Sequence, residues 1–144
     1  MGLAVQVVMD CENPDKLAHF WAAVLNYQLE PPPPGFNSWP EFLKANNYPE
    51  SEWDSASAIV DPDGKGPRLF FQKVPERKTL KNRMHLDVNV TGGLRVPLEE
   101  RRQKVNEAAE RVEKLGATKV KAFEEYGGYW ITMTDPEGNE FDLH

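Results

Sequence analysis

Alternating apolar and polar positions occur twice in this chain, and a helical pattern follows them each time. The first alternation covers residues 3–10 and the second, cleaner one covers residues 83–90. A side-chain period of two predicts a strand in both places. After each strand the apolar positions change to spacings of three and four, which predict an amphipathic helix. The chain therefore contains two copies of one strand–helix unit.

Both helical patterns have recognisable start and stop signals. Asn13 is a good N-cap for the first helix, and Pro14 fits its first helical position. The apolar stripe of this helix comprises Leu17, Phe20, Trp21, Val24 and Leu25. The second helix is predicted to begin at Pro97 and to end at Gly116, since glycine commonly follows the last helical residue. Its buried stripe is predicted to comprise Val105, Ala108, Val112 and Leu115.

A repeated turn motif marks the later part of each copy. Asp61-Pro62-Asp63-Gly64 and Asp135-Pro136-Glu137-Gly138 both have the composition of a hairpin turn. Strands are predicted around them at residues 57–60, 67–74, 118–123, 129–134 and 139–143. The predicted fold class is α+β, with two βαβββ modules at about residues 1–75 and 83–144. With 144 residues, the chain is expected to form a single domain.

Residues 28–56 form an insertion without a counterpart in the second module. The insertion is rich in aromatic residues, namely Phe36, Trp39, Phe42, Tyr48 and Trp53. A loop this long is usually functional or disordered, and its aromatic content argues against disorder. Two interpretations stay open: a lid over a cavity, or additional core. A lid should exchange its amide hydrogens faster than the strand at residues 86–90.

Composition excludes several classes of partner. The formal charge of −6 and the scattered basic residues argue against nucleic acid as the main partner. The single cysteine, Cys11, excludes an internal disulfide and is interpreted as buried core, which fits a reducing compartment. No export signal and no apolar run long enough to span a membrane are present. We therefore expect a cytoplasmic protein that does not bind membranes.

Strand parity predicts a polar face opposite the helices. Met84, Leu86, Val88 and Val90 are expected beneath the second helix, as are Val5, Val7 and Met9 beneath the first. Aligning the modules places Gln6 against His85, and two extra residues after the first turn place Phe70 against Asp142. The polar groups expected on the opposite face are Gln6, Asp10, Gln72, His85, Asp87, Asn89, Asp142 and His144. This face is a binding surface, a solvated surface or a hydrogen-bonded dimer seam.

Several segments together resemble one known superfamily. They are Asp10-Cys11-Glu12-Asn13-Pro14, Phe20-Trp21, Phe71-Gln72-Lys73-Val74-Pro75-Glu76, Lys81-Asn82-Arg83-Met84-His85-Leu86-Asp87 and Asp135-Pro136-Glu137-Gly138-Asn139-Glu140-Phe141. In order and duplication they resemble the glyoxalase/bleomycin resistance/dioxygenase superfamily, also called vicinal oxygen chelate, and its small glyoxalase-like domain branch. The resemblance implies paired βαβββ modules that curl into a cup-shaped, mostly antiparallel sheet. It also implies a small-molecule ligand in the cup and, in many members, a divalent metal ion.

The resemblance implies specific positions for the metal ligands. Members that use a metal take one ligand from the first and one from the last strand of each module, which here means Gln6, His85, Phe70 and Asp142. His85, Asp142 and the weaker donor Gln6 are able to coordinate a divalent ion, whereas Phe70 is not. The expected ligand-binding residues are Gln6, Asp10, Trp39, Trp53, Phe70, Gln72, His85, Asp87 and Asp142. No catalytic residue is assigned.

Three functions follow from these observations. The incomplete ligand set favours a metal-free protein that binds a small aromatic or amphipathic molecule between its modules, with the insertion as a lid. The alternative is a divalent-metal-dependent lyase, isomerase or dioxygenase of the vicinal oxygen chelate type. The third is a ligand-free domain that uses the polar face for self-association. A homodimer is expected, and His85 is the residue most expected to contact ligand or metal.

Overall fold

The computed structural model describes residues 1–144 and divides into two compact units, residues 1–77 and 78–144. Unit 1 contains β1 (Val7–Cys11), α1 (Pro14–Leu25), β2 (Gln28–Leu29), α2 (Trp39–Ala45), one 3-10 turn (Glu50–Glu52), β3 (Ala56–Val60) and β4 (Leu69–Lys73). Unit 2 contains β5 (Leu86–Val88), α3 (Leu98–Leu115), β6 (Thr118–Glu125), β7 (Gly128–Thr134) and β8 (Glu140–Leu143). The predicted α+β class and the two βαβββ modules are confirmed.

The two sheets have the same strand order and the same register. Their orders are β1-β4-β3-β2 and β5-β8-β7-β6, with the first strand of each unit parallel to the last. Val8 pairs with Phe70 in unit 1, and Asp87 pairs with Asp142 at the same step in unit 2. Because neighbouring strands in register direct paired side chains to one face, the two pairs occupy equivalent places.

In unit 1, α1 packs against β3 and β4. The Asn13 side chain accepts a hydrogen bond from the backbone of Lys16, which caps the helix as its sequence predicts. The large side chains with less than 2 % exposure at this interface are Leu17, Trp21, Ile59, Leu69 and Phe71. Each large apolar side chain buried in this way contributes about 1.5–3 kcal/mol of transfer free energy. Cys11 is also buried, in agreement with its interpretation as core.

In unit 2, α3 packs mainly against β7. The buried residues at this interface include Val105, Ala108, Val112, Ile131, Met133, Phe141 and Leu143. Gly116 ends α3 with a φ of 115°, a conformation that strongly favours glycine. Charged residues occupy the opposite face of α3, and no helix of the structure combines the length and apolar character that crossing a membrane requires.

The first strand of each unit is shorter than the alternation predicts. β5 covers only residues 86–88 and β1 begins at Val7, so His85 and Gln6 directly precede their strands. Met84 and Val5 were predicted beneath the helices, but they are 87 % and 76 % exposed. That prediction is wrong because a side-chain period of two specifies a face only where the backbone is paired in a sheet.

The insertion contains a helix that the periodicity did not indicate. α2 begins after Ser38, whose hydroxyl accepts a hydrogen bond from the backbone N–H of Glu41. The Glu41 carboxylate in turn accepts one from the backbone of Asn37. Neither α2 nor the 3-10 turn contains a buried residue. The interpretation of these elements as additional core is therefore wrong.

The repeated turn motif is held by its aspartate in both units. Asp61 Oδ1 accepts a hydrogen bond from Asp63 N at 2.9 Å, and Oδ2 accepts from Lys65 N at 3.0 Å and Gly66 N at 2.8 Å. Asp135 Oδ1 accepts equivalent bonds from the backbone of Glu137 and Asn139. The backbone donors to Asp61 lower its pKa, because they stabilise the ionised carboxylate.

Asp61→Asn is expected to lower the melting temperature at pH 7 because an amide group presents one acceptor oxygen instead of two. A pKa lowered by folding gives a stabilisation that is complete above the unfolded pKa of about 4 and is lost as the pH falls through the folded value. The difference from the parent protein should therefore narrow at about pH 3. Thermal unfolding followed by circular dichroism at both pH values tests this, with Asp63→Asn in the same turn as the control.

Candidate functional site

His85, Asp87 and Asp142 form a cluster on the sheet of unit 2, and we call it the histidine–carboxylate cluster. The β5–β8 register places Asp87 beside Asp142, and His85 lies two residues before Asp87. His85 Nε2 is 3.2 Å from Asp87 Oδ1 and 3.4 Å from Asp142 Oδ2. One ligand atom from each residue lies within 4.8 Å of the other two. The three groups thus converge on a common point.

Thr132 orients the most protected member of this cluster. It pairs with Asp142 across the β7–β8 ladder, and its hydroxyl donates a hydrogen bond of 2.6 Å to Asp142 Oδ1. Oδ2 therefore remains directed to His85. The Asp142 side chain is 19 % exposed, against 42 % for His85 and 58 % for Asp87. A hydrogen bond of this kind fixes a carboxylate in the way that supporting residues fix the ligands of metal sites.

The donor set of this cluster fits a divalent cation. One imidazole nitrogen and two carboxylate oxygens are ligands that zinc, manganese and similar ions accept. Ligand atoms about 2.1 Å from a shared ion lie about 3.0–3.4 Å from one another. The two His85 distances of 3.2 and 3.4 Å are compatible with this spacing. Asp87, expected only among the ligand-binding residues, belongs to this set of donors.

Unit 1 has apolar residues at the equivalent places. In unit 2, Asp87, Asp142 and Thr132 pair with one another across three neighbouring strands. The residues that pair in the same way in unit 1 are Val8, Phe70 and Ala58. Gln6 stands where unit 2 has His85, and its amide oxygen accepts a hydrogen bond of 2.8 Å from Arg68 Nη1. The metal-ligand role expected of Gln6 thus competes with an existing hydrogen bond, and it stays a prediction. No polar cluster replaces the missing ligand at Phe70.

Unit 1 instead contains a cavity of about 660 Å³, which we call the aromatic cavity. Its large aliphatic lining residues are Leu29 and Leu43, and its aromatic lining residues are Trp39, Phe42, Tyr48, Trp53 and Phe70. Three of the expected ligand-binding residues, Trp39, Trp53 and Phe70, meet in this cavity. Asp10 and Gln72 pair in the β1–β4 register on the exposed sheet surface, and neither lines the cavity.

The rings around the aromatic cavity are fixed by backbone hydrogen bonds and by one another. Trp39 Nε1 donates to the carbonyl of Glu30 at 2.8 Å, and Trp53 Nε1 donates to the carbonyl of Tyr48 at 3.0 Å. The Trp39 and Phe42 rings meet edge to face with centroids 5.7 Å apart. Because both indole N–H groups have acceptors, the rings offer the cavity mainly their apolar surfaces.

An ion pair lies at the wall of the aromatic cavity. Arg68 donates from Nε to Glu30 Oε1 at 2.9 Å and from Nη2 to Oε2 at 2.6 Å. The guanidinium carbon is 5.2 Å from the centroid of the Phe70 ring. Both charged side chains are about one-third exposed or less, and the hydrogen bonds to Glu30 raise the pKa of Arg68. Sequence analysis missed this pair because no local pattern connects residues 38 positions apart.

The structure is similar to those of several solved proteins over nearly its whole length. A mutant of the fosfomycin resistance protein FosX from Listeria monocytogenes, complexed with Mn(II) and 1S,2S-dihydroxypropylphosphonic acid, has a TM-score of 0.63 at 14 % identity, covering 99 % of this chain and 88 % of its own. A glyoxalase/bleomycin resistance protein/dioxygenase family enzyme from Burkholderia phytofirmans has a TM-score of 0.60 at 15 % identity, with 96 % and 94 % covered. FosX from Mesorhizobium loti gives 0.64 at 12 % identity, with 100 % and 91 % covered. At these identities the likeness concerns the fold.

The sequence matches the family described as "Glyoxalase-like domain" over residues 6–144. The chain therefore belongs to the glyoxalase-like domain family of the vicinal oxygen chelate superfamily, as its repeated motifs predicted. No curated protein has significant sequence similarity to the chain.

Proposed function

We propose that this protein binds a small aromatic or amphipathic molecule in the aromatic cavity. The observation that carries the proposal is the cavity itself, whose volume of about 660 Å³ lies within the usual range for small-molecule sites. Two indole rings, two further aromatic side chains of the insertion and Phe70 form the aromatic part of its apolar lining. An apolar concavity with a few polar groups is the common form of such a site.

The construction of the insertion supports the same proposal. α2 buries none of its residues, yet its aromatic side chains are directed by hydrogen bonds and ring contacts. Trp39 and Tyr48 remain 38 % and 50 % exposed. Apolar surface that is held in place and left accessible is typical of a binding site. In this proposal the insertion is the lid, and its faster hydrogen exchange stays a prediction.

Trp53→Ala is expected to weaken the binding of neutral aromatic fragments about fivefold to twentyfold, because one wall of the aromatic cavity is removed. Ligand-observed NMR on a set of neutral fragments identifies the binders, and calorimetry then measures 2-naphthylmethanol as the reference compound. Tyr126→Asn is the control, since Tyr126 is fully exposed on the β6–β7 turn at a φ of 52° that asparagine tolerates. Fragments that bind both variants like the parent protein would contradict the proposal.

A second candidate function is metal-dependent chemistry at the histidine–carboxylate cluster. The convergence of His85, Asp87 and Asp142 favours it, and the FosX mutant from Listeria monocytogenes is complexed with Mn(II). A divalent ion held there would polarise a carbonyl or hold two oxygens of a substrate, as in a lyase, isomerase or dioxygenase. Within the chain, Thr132 holds Asp142 in place and the β5–β8 pairing aligns the two carboxylates.

Three expectations from the sequence stay predictions. They are a ligand shared by the two modules, a homodimer and a cytoplasmic location. Size-exclusion chromatography with light scattering tests the second directly. The aromatic cavity lies entirely in unit 1 and the histidine–carboxylate cluster entirely in unit 2, so neither proposal depends on these expectations.

A further inference from the structure

We propose that the aromatic cavity selects an organic cation, a molecule with a flat apolar body and a positively charged nitrogen. This inference rests on the proposed function, since it names the chemical class of the ligand at that same site. Two observations support it: the excess of carboxylates along the cavity, and the pairing of its one lining arginine, Arg68, with Glu30.

Carboxylates outnumber basic groups along the lining of the aromatic cavity. The acidic lining residues are Asp15, Glu30, Glu52 and Asp54, whereas Arg68 is the one basic residue among them. An excess of negative charge beside low-dielectric walls attracts cations and repels anions. The charge of this wall therefore distinguishes between ligands of equal shape and apolar surface.

The positive charge of Arg68 is balanced by the Glu30 carboxylate, so Arg68 does not form a binding site for anions. Two of its hydrogen bonds go to the Glu30 carboxylate and a third goes to the amide oxygen of Gln6. Its guanidinium group lies over the Phe70 ring, so one face of it is also covered. A paired, two-point contact between arginine and a carboxylate is among the strongest side-chain hydrogen-bond arrangements. An anionic ligand would have to displace Glu30 to reach these donors.

The two residues next to Trp53 in the sequence both bring a carboxylate to the lining of the aromatic cavity. The Glu52 carboxylate makes no hydrogen bond or ion pair, and Glu52 and Asp54 both line the cavity. Asp54 Oδ2 contacts Lys73 Nζ at 2.7 Å, so Lys73 balances part of the charge of Asp54 and Glu52 is the carboxylate of the two without such a partner. Lys73 lowers the pKa of Asp54, so this carboxylate is ionised at neutral pH. Tryptophan is the best ring for a cation–π contact, and adjacent carboxylates strengthen the attraction.

The test compares three probes of similar shape on the full chain by calorimetry. They are trimethyl(2-naphthylmethyl)ammonium, 2-naphthylmethanol and 2-naphthylmethylphosphonate. We expect the cation to bind about tenfold more tightly than the alcohol, and the phosphonate to bind more weakly than both. Raising the salt concentration from 50 mM to 500 mM should reduce this advantage, because the carboxylates are partly exposed.

A charge-matched pair of variants locates the effect. Glu52→Lys and Glu50→Lys change the net charge equally within the same 3-10 turn, but only Glu52 lines the cavity. Glu52→Lys should weaken cation binding about tenfold more than it changes alcohol binding, whereas Glu50→Lys should alter cation binding less than about twofold. Thermal unfolding checks that both variants fold.

The outcomes separate this inference from the proposed function. If the alcohol binds as tightly as the cation, or the phosphonate binds best, the preference for cations is overturned and the proposed function stands. Equal effects of Glu52→Lys and Glu50→Lys would also overturn the preference. If Trp53→Ala changes the binding of none of the three probes, the proposed function itself fails.

Discussion

The Asp142→Ala variant is expected to bind Mn(II) about 100-fold more weakly than the parent protein, if the histidine–carboxylate cluster holds a metal. Asp142 is the least exposed of the three ligands, and both His85 and Thr132 are directed to its carboxylate. Its loss removes one charged ligand and the acceptor of the Thr132 hydrogen bond. Loss of a supporting residue alone typically lowers metal affinity about 10–100-fold, so loss of a ligand should reach at least the upper end of this range. Calorimetry with manganese chloride at neutral pH measures the effect.

Two further variants make this test selective. Asp63→Ala removes an exposed carboxylate from the turn in unit 1, and its Mn(II) affinity should match that of the parent protein. Thr132→Val keeps every ligand but removes the hydrogen bond that orients Asp142, and about a tenfold loss is expected. Parent protein that binds Mn(II) no better than Asp142→Ala would contradict a metal role for the cluster.

Phe71→Ala is expected to destabilise the protein by about 3–5 kcal/mol, whereas the neighbouring Phe70→Ala should mainly weaken ligand binding. Phe71 is 0 % exposed and belongs to the core beneath α1, so its truncation leaves an unfilled space. Phe70 lies on the opposite side of β4 and lines the aromatic cavity. Urea denaturation measures the stability of both variants, and 2-naphthylmethanol titration measures their binding.

This pair of variants is its own control because the two changes remove the same side chain from adjacent positions of one strand. Equal losses of stability would mean that Phe70 is as important to the core as Phe71. Unchanged probe binding by Phe70→Ala would remove Phe70 from the cavity wall. The proposed site requires that Phe71→Ala mainly lowers stability and that Phe70→Ala mainly lowers probe binding.

Side-chain faces in the paired strands could be predicted from the sequence, because the pleat imposes a period of two. The alignment of Phe70 with Asp142 followed from the repeat once two extra residues were allowed after the first turn, and the register places them at equivalent positions. The rule failed at Val5 and Met84, which lie beyond the paired residues. The ends of strands depend on which backbone groups find partners, and partners distant in sequence are not visible in a local pattern.

The wall of the aromatic cavity was only partly predictable. The sequence shows its tryptophans as part of an aromatic-rich insertion, and a helix-start signal precedes α2. Ser38 and Glu41 have the spacing of a capping box, with Pro40 inside it. No such signal marks the pairing of Glu30 with Arg68, because it follows from the way β2 and β4 are held in the same sheet.

The pairing of first strand with last has a consequence for synthesis on the ribosome. β1 has β4 as its one sheet neighbour, and β5 has β8. Paired residues lie 62 positions apart in the first case and 55 in the second, so each strand waits for that length of chain before its backbone groups find partners. An unpaired strand edge is prone to wrong association during this interval. Unit 1 is able to complete its sheet once Lys73 has emerged, while β5 remains unpaired until residues 140–143 are made. A nascent chain that stalls before Glu140 thus carries one finished sheet and one open edge.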